Sequence, residues 1–263
     1  MRCRWLGWAG FEVEHEGATL VIDPLGDPGA LYAVLGDAAA GVTLPEVVEP
    51  LPGAVVGLVT HLHRDHADAP ALKRALAEGA PVLLPEPGGG PASEEAGLLQ
   101  AARELDHEGL ALRHLTAWET VEVGPFTVTA LPAADGTGDP QLSWAVAAGG
   151  SRVVHCGDTL FHGWWWRAAL RAGPFDAALV PVNGAVLDFP WRQPPSPLPG
   201  AMTPEEAAVA AKALGAARAV PMHYGAFELE PYYRPIPDAL ERFTAAAGDH
   251  GHPLAVGETL ELA

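Results

Sequence analysis

Positive charge is scarce in this chain. Its 263 residues carry 15 Lys and Arg against 33 Asp and Glu, for a net charge of −18. That deficit argues against a nucleic-acid binder, which needs a basic surface to hold the phosphate backbone. It leaves a small anionic substrate open, because a metal-lined pocket reverses the local field. Cysteine is almost absent: Cys3 and Cys156 form no C-x-x-C pair and build no disulfide framework, so both read as buried thiols. No apolar run approaches the roughly 18 residues of a membrane span. The opening MRCRWLGWAG is basic but runs straight into GFEVEHEG, without the apolar centre of a signal peptide, so a cytoplasmic protein is expected. Only four serines occur and none sits in a G-x-S-x-G elbow, which disfavours serine hydrolysis. H-E-x-x-H, Walker A and a complete G-x-G-x-x-G are also missing; GTG at 136–138 lacks the third glycine.

What is abundant points to a packed enzyme. Hydrophobic residues make up 49% and charged residues 18%, which suits a globular chain with a sizeable core and is read as one domain over 1–263. RCRWL, FEVEH and TLVID are β-like runs separated by glycine-containing turns. Residues 24–54 show no period and read as a long loop with room for one helix. VVGLVT (55–60) is a buried strand, 67–79 a helix closing at Gly79, PVLLP a second buried strand, and 86–97 a breaker-rich loop. Four strand-like runs follow: ETVEV, FTVTALP, LSWAVAAG and RVVHCGD. HGWWWRAALRAG reads as a helix, AALVPVN as a strand and 191–200 as a proline-rich flap. Thr203, Pro204 and Glu206 form a T-P-x-E helix start, with Gly215 as the stop. ARAVPMH is then a strand, with a helix near 236–247 and a last strand around LAVGETLEL. Strands first and mixed β/α later predict two sheets with helices outside.

The chemistry concentrates in THLHRDH, residues 60–66. A pattern H-x-H-x-D-H arises by chance in roughly one chain in a thousand of this composition, so it reads as a metal site. His61 and His63 stand two apart and can reach one ion; Asp65 and His66 can reach a second. Asp158, in GDT, and His223, in PMHYG, each follow a buried strand. Strand ends suit such ligands, since the sheet fixes geometry while the loops stay open. Hydrolysis at neutral pH needs one or two ions to acidify a water and polarise the scissile bond.

The order HLHRDH, GDT, PMHYG resembles the metallo-β-lactamase-fold hydrolases. WLGWAGFEVE…TLVIDP, PVNG at 181–184 and MTPEEAAVAAKALGA narrow the resemblance toward the branch that includes L-ascorbate-6-phosphate lactonase and N-acyl-phosphatidylethanolamine phospholipase D. It covers about residues 3–262. It implies an α/β (α+β) four-layer αββα sandwich of two mixed β-sheets with helices on the outer faces. It also implies two divalent metal ions, zinc or manganese with iron as a further option. His61 and His63 then hold the first ion, Asp65, His66 and His223 the second, and Asp158 bridges both. A hydroxide between the ions attacks an ester, lactone or phosphodiester, Asp65 helps move the proton, and Asp23, in IDP, supports the site without ligating.

One position departs from the family pattern. Where the family carries a histidine in P-A-x-H, this chain has Asp135. Three readings stand open: Asp135 ligates the first ion, Asp139 does so instead, or the first ion is weakly held or absent. An aspartate there adds a hard, negative oxygen and favours Mn²⁺ or Fe²⁺ over Zn²⁺. Asn183, Tyr224 and His162 are candidates for substrate contact, each with a structural alternative as a turn residue, a packed ring and a helix cap. Arg192 in the flap is a candidate phosphate holder, with simple solvation as its alternative. Of Trp164, Trp165 and Trp166, core packing explains one or two, and a pocket rim or subunit contact takes the third, which leaves a homo-oligomer open. The leading function is a metal-dependent hydrolase of a small anionic ester or lactone. A phosphodiesterase or nuclease of the same fold is one alternative, and a non-catalytic ligand-binding relative with an altered metal site is the other.

Overall fold

Alternation along the buried strands sets the architecture. Leu20 and Ile22 face one core while Val21 between them faces another, and Leu83 is set against Val82 and Leu84 in the same way. A strand with both faces covered must lie between two layers. The computed structural model describes residues 1–29, 41–87, 92–189 and 193–262. The first sheet holds β1 (Arg2–Gly7), β2 (Gly10–His15), β3 (Ala18–Ile22), β4 (Val56–Leu58), β5 (Pro81–Leu84), β6 (Ala111–His114) and, at its far edge, β15 (Thr259–Glu261). Its order is β15-β1-β2-β3-β4-β5-β6, antiparallel up to β3 and parallel beyond. The second sheet holds β7 (Thr120–Val123), β8 (Phe126–Pro132), β9 (Leu142–Ala148), β10 (Ser151–His155), β11 (Ala177–Pro181) and β13 (Arg218–Met222), in the order β13-β11-β10-β9-β8-β7. It too is mixed, parallel through β13, β11 and β10 and antiparallel after that. A two-stranded ribbon pairs β12 (Val186–Leu187) with β14 (Tyr233–Arg234).

Helices close both outer faces. Ala69, Leu72 and Ala75 of α1 (Ala69–Ala75) and Leu98, Ala101 and Leu105 of α2 (Ala92–His107) cover the first sheet. Against the second lie Trp165 and Ala168 of α3 (Trp165–Ala172), four alanines of α4 (Pro204–Ala213), and Ala239, Phe243 and Ala247 of α5 (Ala239–Ala247). The third core lies between the sheets, around Trp8, Phe11, Phe126 and Trp144. This is the αββα sandwich with two mixed sheets that the family resemblance implied. The α4 capping box is complete, Thr203 accepting from Glu206 N and Glu206 accepting from Thr203 N; such a cap is worth about 1 kcal/mol.

Several boundaries moved. The first helix stops at Ala75 rather than Gly79, because Leu76 turns extended and bridges to Ala54. The expected loop over 86–97 gives way at Ala92 to the helix α2. Its C-terminal half is rich in Ala, Leu, Glu and Arg, with Leu98, Ala101 and Leu105 on one face, so the signal was there. β6 and the β12–β14 ribbon were also unforeseen; β6 is only half covered, with burial alternating between exposed and intermediate. Of the tryptophan triplet, Trp165 is buried while Trp164 and Trp166 are exposed. Cys3 and Cys156 are buried free thiols, and burial pushes both thiol pKa values up, that of Cys3 to about 12. Arg192 and residues 30–40 of the long loop lie outside the described residues. Among the described residues, no helix is long and apolar enough to cross a membrane.

Candidate metal centre

Every motif residue follows the C-terminal end of a strand. Asp23 follows β3, His61, His63, Asp65 and His66 follow β4, Asp135 follows β8, Asp158 follows β10 and His223 follows β13. β8 and β10 both run antiparallel to β9, so their ends open on one side. The backbone is strained at this rim. Trp8, Asp23, His223 and Phe227 all have positive φ, at 50°, 43°, 59° and 64°, and such outliers collect at functional sites.

The side chains form three overlapping groups of donor atoms, each within 4.8 Å: His61, His63 and Asp135; Asp65, His66 and His223; and His61, His66 and Asp158. The second is a near-regular triangle. His66 Nε2 lies 3.2 Å from His223 Nε2 and 3.6 Å from Asp65 Oδ2, and His223 Nε2 lies 3.3 Å from that oxygen. Donors about 2.1 Å from a tetrahedral ion stand about 3.4 Å apart, so the triangle fits one cation. In the first group His61 Nε2 and His63 Nδ1 are 2.9 Å apart. Asp158 joins one histidine from each group, and its Oδ1 is buried with no hydrogen bond.

The far nitrogens of the rings are held by neighbours, which fixes the tautomers. Asp23, fully buried, accepts from Thr60 N (2.8 Å), Thr60 Oγ1 (2.6 Å) and His66 Nδ1 (2.8 Å). Thr60 Oγ1, having given its proton to Asp23, accepts from His61 Nδ1 at 3.0 Å. Asp139 Oδ2 accepts from His63 Nε2 at 2.9 Å. The lone pairs of His61 Nε2, His63 Nδ1 and His66 Nε2 therefore point inward. Gln141, with its amide turned to suit its neighbours, donates to Asp135 Oδ2 at 3.2 Å and accepts from the backbone N–H of Asp158 and Thr159 at 3.1 Å. Thr137 donates its hydroxyl to both Asp135 and Asp139.

Without ions the cluster holds protons in their place. Burial opposes charge on His63, but the Asp139 hydrogen bond and the Asp135 and Asp65 charges outweigh it and raise its pKa to about 9. His66 is likewise raised to about 9 against burial, by Asp65 and Asp23. Burial, then the charges on His66 and His63, push His61 well below its usual value. Asp65 stays well below the carboxylate range because His66 and His223 overcome its burial, whereas burial raises Asp158. A knot of carboxylates that keeps two histidines charged is a place for cations.

The substrate candidates lie differently. Asn183 is buried, with its amide nitrogen 2.7 Å from His223 Nδ1 and also on the Tyr233 hydroxyl. Tyr224 is half-buried and stacks on Trp5 at 5.8 Å. His162 stacks on Trp165 at 3.9 Å, accepts from Trp164 N, and burial lowers its pKa to about 4. Gly136 of the GTG run packs where a Cβ would collide with the Gly200 backbone, so its glycine serves close approach of the flap. Trp8, Thr60, Gln141 and Tyr233 are site neighbours without an expected role; Thr60 carried a signal in its place beside the histidines, and Trp8 in the WLGWAGFEVE run.

A family model described as a beta-lactamase superfamily domain matches residues 19–224, which takes in Asp23 and every motif residue from His61 to His223. The chain belongs to that superfamily. The expectation of a metal-dependent hydrolase with the metallo-β-lactamase fold holds with it. Among similar curated proteins is the UPF0173 metal-dependent hydrolase MK1542 of Methanopyrus kandleri, 28% identical over 238 residues, covering 86% of this chain and 85% of the relative. The isothiocyanate hydrolase from Delia radicum gut bacteria shares the fold at TM-score 0.70 and 18% identity, over 100% of both chains. Igni18, a metallo hydrolase of Ignicoccus hospitalis, does so at TM-score 0.64 and 19% identity, over 98% of this chain and 97% of that one.

Proposed function

We propose that the chain, as one hydrolase domain over residues 1–263, binds two divalent cations (zinc, manganese or iron) and hydrolyses a small anionic ester or lactone. The observation that carries this is the pair of donor groups joined through Asp158, with the protonated ring nitrogens turned outward onto Asp23, Thr60 and Asp139. His61, His63 and Asp135 hold the first ion, Asp65, His66 and His223 the second, and Asp158 lies between. When bound, the ions supply the charge that makes a water acidic near neutral pH and polarises the scissile bond. The protein's own residues do the rest. Asp23, Thr60 and Asp139 keep three imidazoles in the ligating tautomer. Asn183 sets its amide nitrogen 2.7 Å from Nδ1 of the fourth, His223, and so bears on which ring nitrogen carries the proton. Asp65 takes a proton as water adds to the substrate and returns it to the leaving oxygen as the bond breaks. The likeness of WLGWAGFEVE, PVNG and the MTPEEA helix to the lactonase branch favours an ester or lactone, and the scarcity of basic residues disfavours long nucleic acid.

The test is metal content by mass spectrometry on chelator-free protein, with turnover of lactones, aryl esters and bis-p-nitrophenyl phosphate, for wild type and His66→Ala. About two ions per chain, ester or lactone turnover, and loss of one ion and all turnover in the variant support the reading. Wild-type turnover in His66→Ala overturns it, and turnover of the phosphodiester alone shifts it to a phosphodiesterase.

A further inference from the structure

The second donor group owes its shape to a residue outside the ligand motifs. Trp8 lies in the Gly7–Gly10 turn between β1 and β2, buried, with φ +50°. An indole held in a left-handed turn is an outlier that calls for a reason. Its Nε1–H donates to Asp65 Oδ2 at 2.9 Å, across 57 residues of sequence. That is the oxygen facing His66 and His223. The indole face lies 3.8 Å from the His223 ring, and the Trp8 carbonyl accepts from His223 N at 3.1 Å. Trp8 thus touches two of the three donors. It is itself pinned by Trp5 Nε1, which donates to the same carbonyl at 3.1 Å, and by Phe227, edge-on at 4.6 Å.

The consequence is a carboxylate with two unequal oxygens. All described contacts of Asp65 run through Oδ2; among the described residues no donor reaches Oδ1, and the side chain keeps 24% exposure. We propose that Trp8 is the positioning residue of this group: its indole N–H locks Asp65 Oδ2 beside His66 and His223 and leaves Oδ1 as the open, proton-accepting oxygen. This rests on the two-metal reading. Without the N–H the carboxylate turns about its Cβ–Cγ bond, so the second ion loses a fixed donor and the proton loses a fixed acceptor.

The variant is Trp8→Phe, which keeps an aromatic ring against His223 and Phe227 and removes only the donor. Zn²⁺ and Mn²⁺ affinities are measured by chelator competition, with kcat and KM measured alongside. The expected result is a 10–100-fold weaker second ion with the first unchanged, and a kcat reduced at least 10-fold at unaltered KM. Two ions held at wild-type affinity by Trp8→Phe overturn the proposal and leave the two-metal reading standing; a wild type that binds neither ion overturns both. Should Trp8→Phe not fold, indole-¹⁵N spectra of wild type decide. One indole N–H must shift on Zn²⁺ saturation and lose its exchange protection in Asp65→Ala, and the absence of such a resonance overturns the proposal.

Discussion

His63 Nε2 donates to Asp139 Oδ2 across 2.9 Å, joining the histidine motif to the loop after β8 over 76 residues of sequence. The bond bears on the open question at Asp135. Asp139 engages the outward nitrogen of His63, while Asp135 shares a donor group with His61 and His63. That arrangement favours Asp135 as the first-ion ligand and Asp139 as the group that orients His63. Asp139→Asn is expected to weaken the first ion 10–100-fold and spare the second, read by chelator competition. Equal loss at both ions would show that Asp139 does not act through His63.

Asp135→His tests the unusual donor directly. Replacing a hard carboxylate oxygen by imidazole is expected to raise Zn²⁺ affinity relative to Mn²⁺ at the first ion by at least 10-fold. Gln141 loses its acceptor on Asp135, so a small fall in melting temperature accompanies the change. Metal competition followed by mass spectrometry reads the preference. An unaltered Zn²⁺/Mn²⁺ ratio would make Asp135 a bystander.

The legible part of this molecule is the local part. H-x-H-x-D-H lies within six residues, and Asp158 and His223 each close a buried strand, so pattern and strand end together marked them. Two sheets with helices outside followed from the order of strand-like and helical runs, VVGLV among them as a buried strand, while the αββα sandwich came with the family resemblance. What stayed hidden are pairings across the sheets: Trp8 with Asp65, Asp139 with His63, Asn183 with His223. Nothing in either partner's local sequence names the residue it meets, and only the closing of the two sheets brings them together. The missed helix α2 shows another limit, since the proline and glycines just before Ala92 masked a run of good helix formers behind them.

Metal binding should be strongly pH-dependent below about 9. His63 and His66 each keep a proton up to about 9 in the metal-free chain, and each ion must displace one. At pH 7.5 about two protons are expected to leave as two ions bind, read from calorimetry in buffers of different ionisation enthalpy. Apparent affinity then rises about tenfold per pH unit for each ion and levels off above 9. Fewer than about one proton in total would mean that the histidines are already neutral and that the carboxylates do not charge them.

Asp23 separates stability from metal binding. It has no solvent exposure, and three donors depend on it: Thr60 N, Thr60 Oγ1 and His66 Nδ1. Removing one partner of a buried charged network costs on the order of 3–5 kcal/mol, because the donors left behind have no water to turn to. Asp23→Ala should therefore lower the unfolding free energy of the metal-free protein by that amount, read as a lower urea midpoint at unchanged slope, and weaken the second ion as well, since His66 loses the acceptor that fixes its tautomer. Asp139→Asn, whose bond reaches a histidine with 32% side-chain exposure, should move metal affinity with far less effect on the midpoint. If the two variants shift the midpoint equally, the buried Asp23 network is not what holds the β3 and β4 strand ends together.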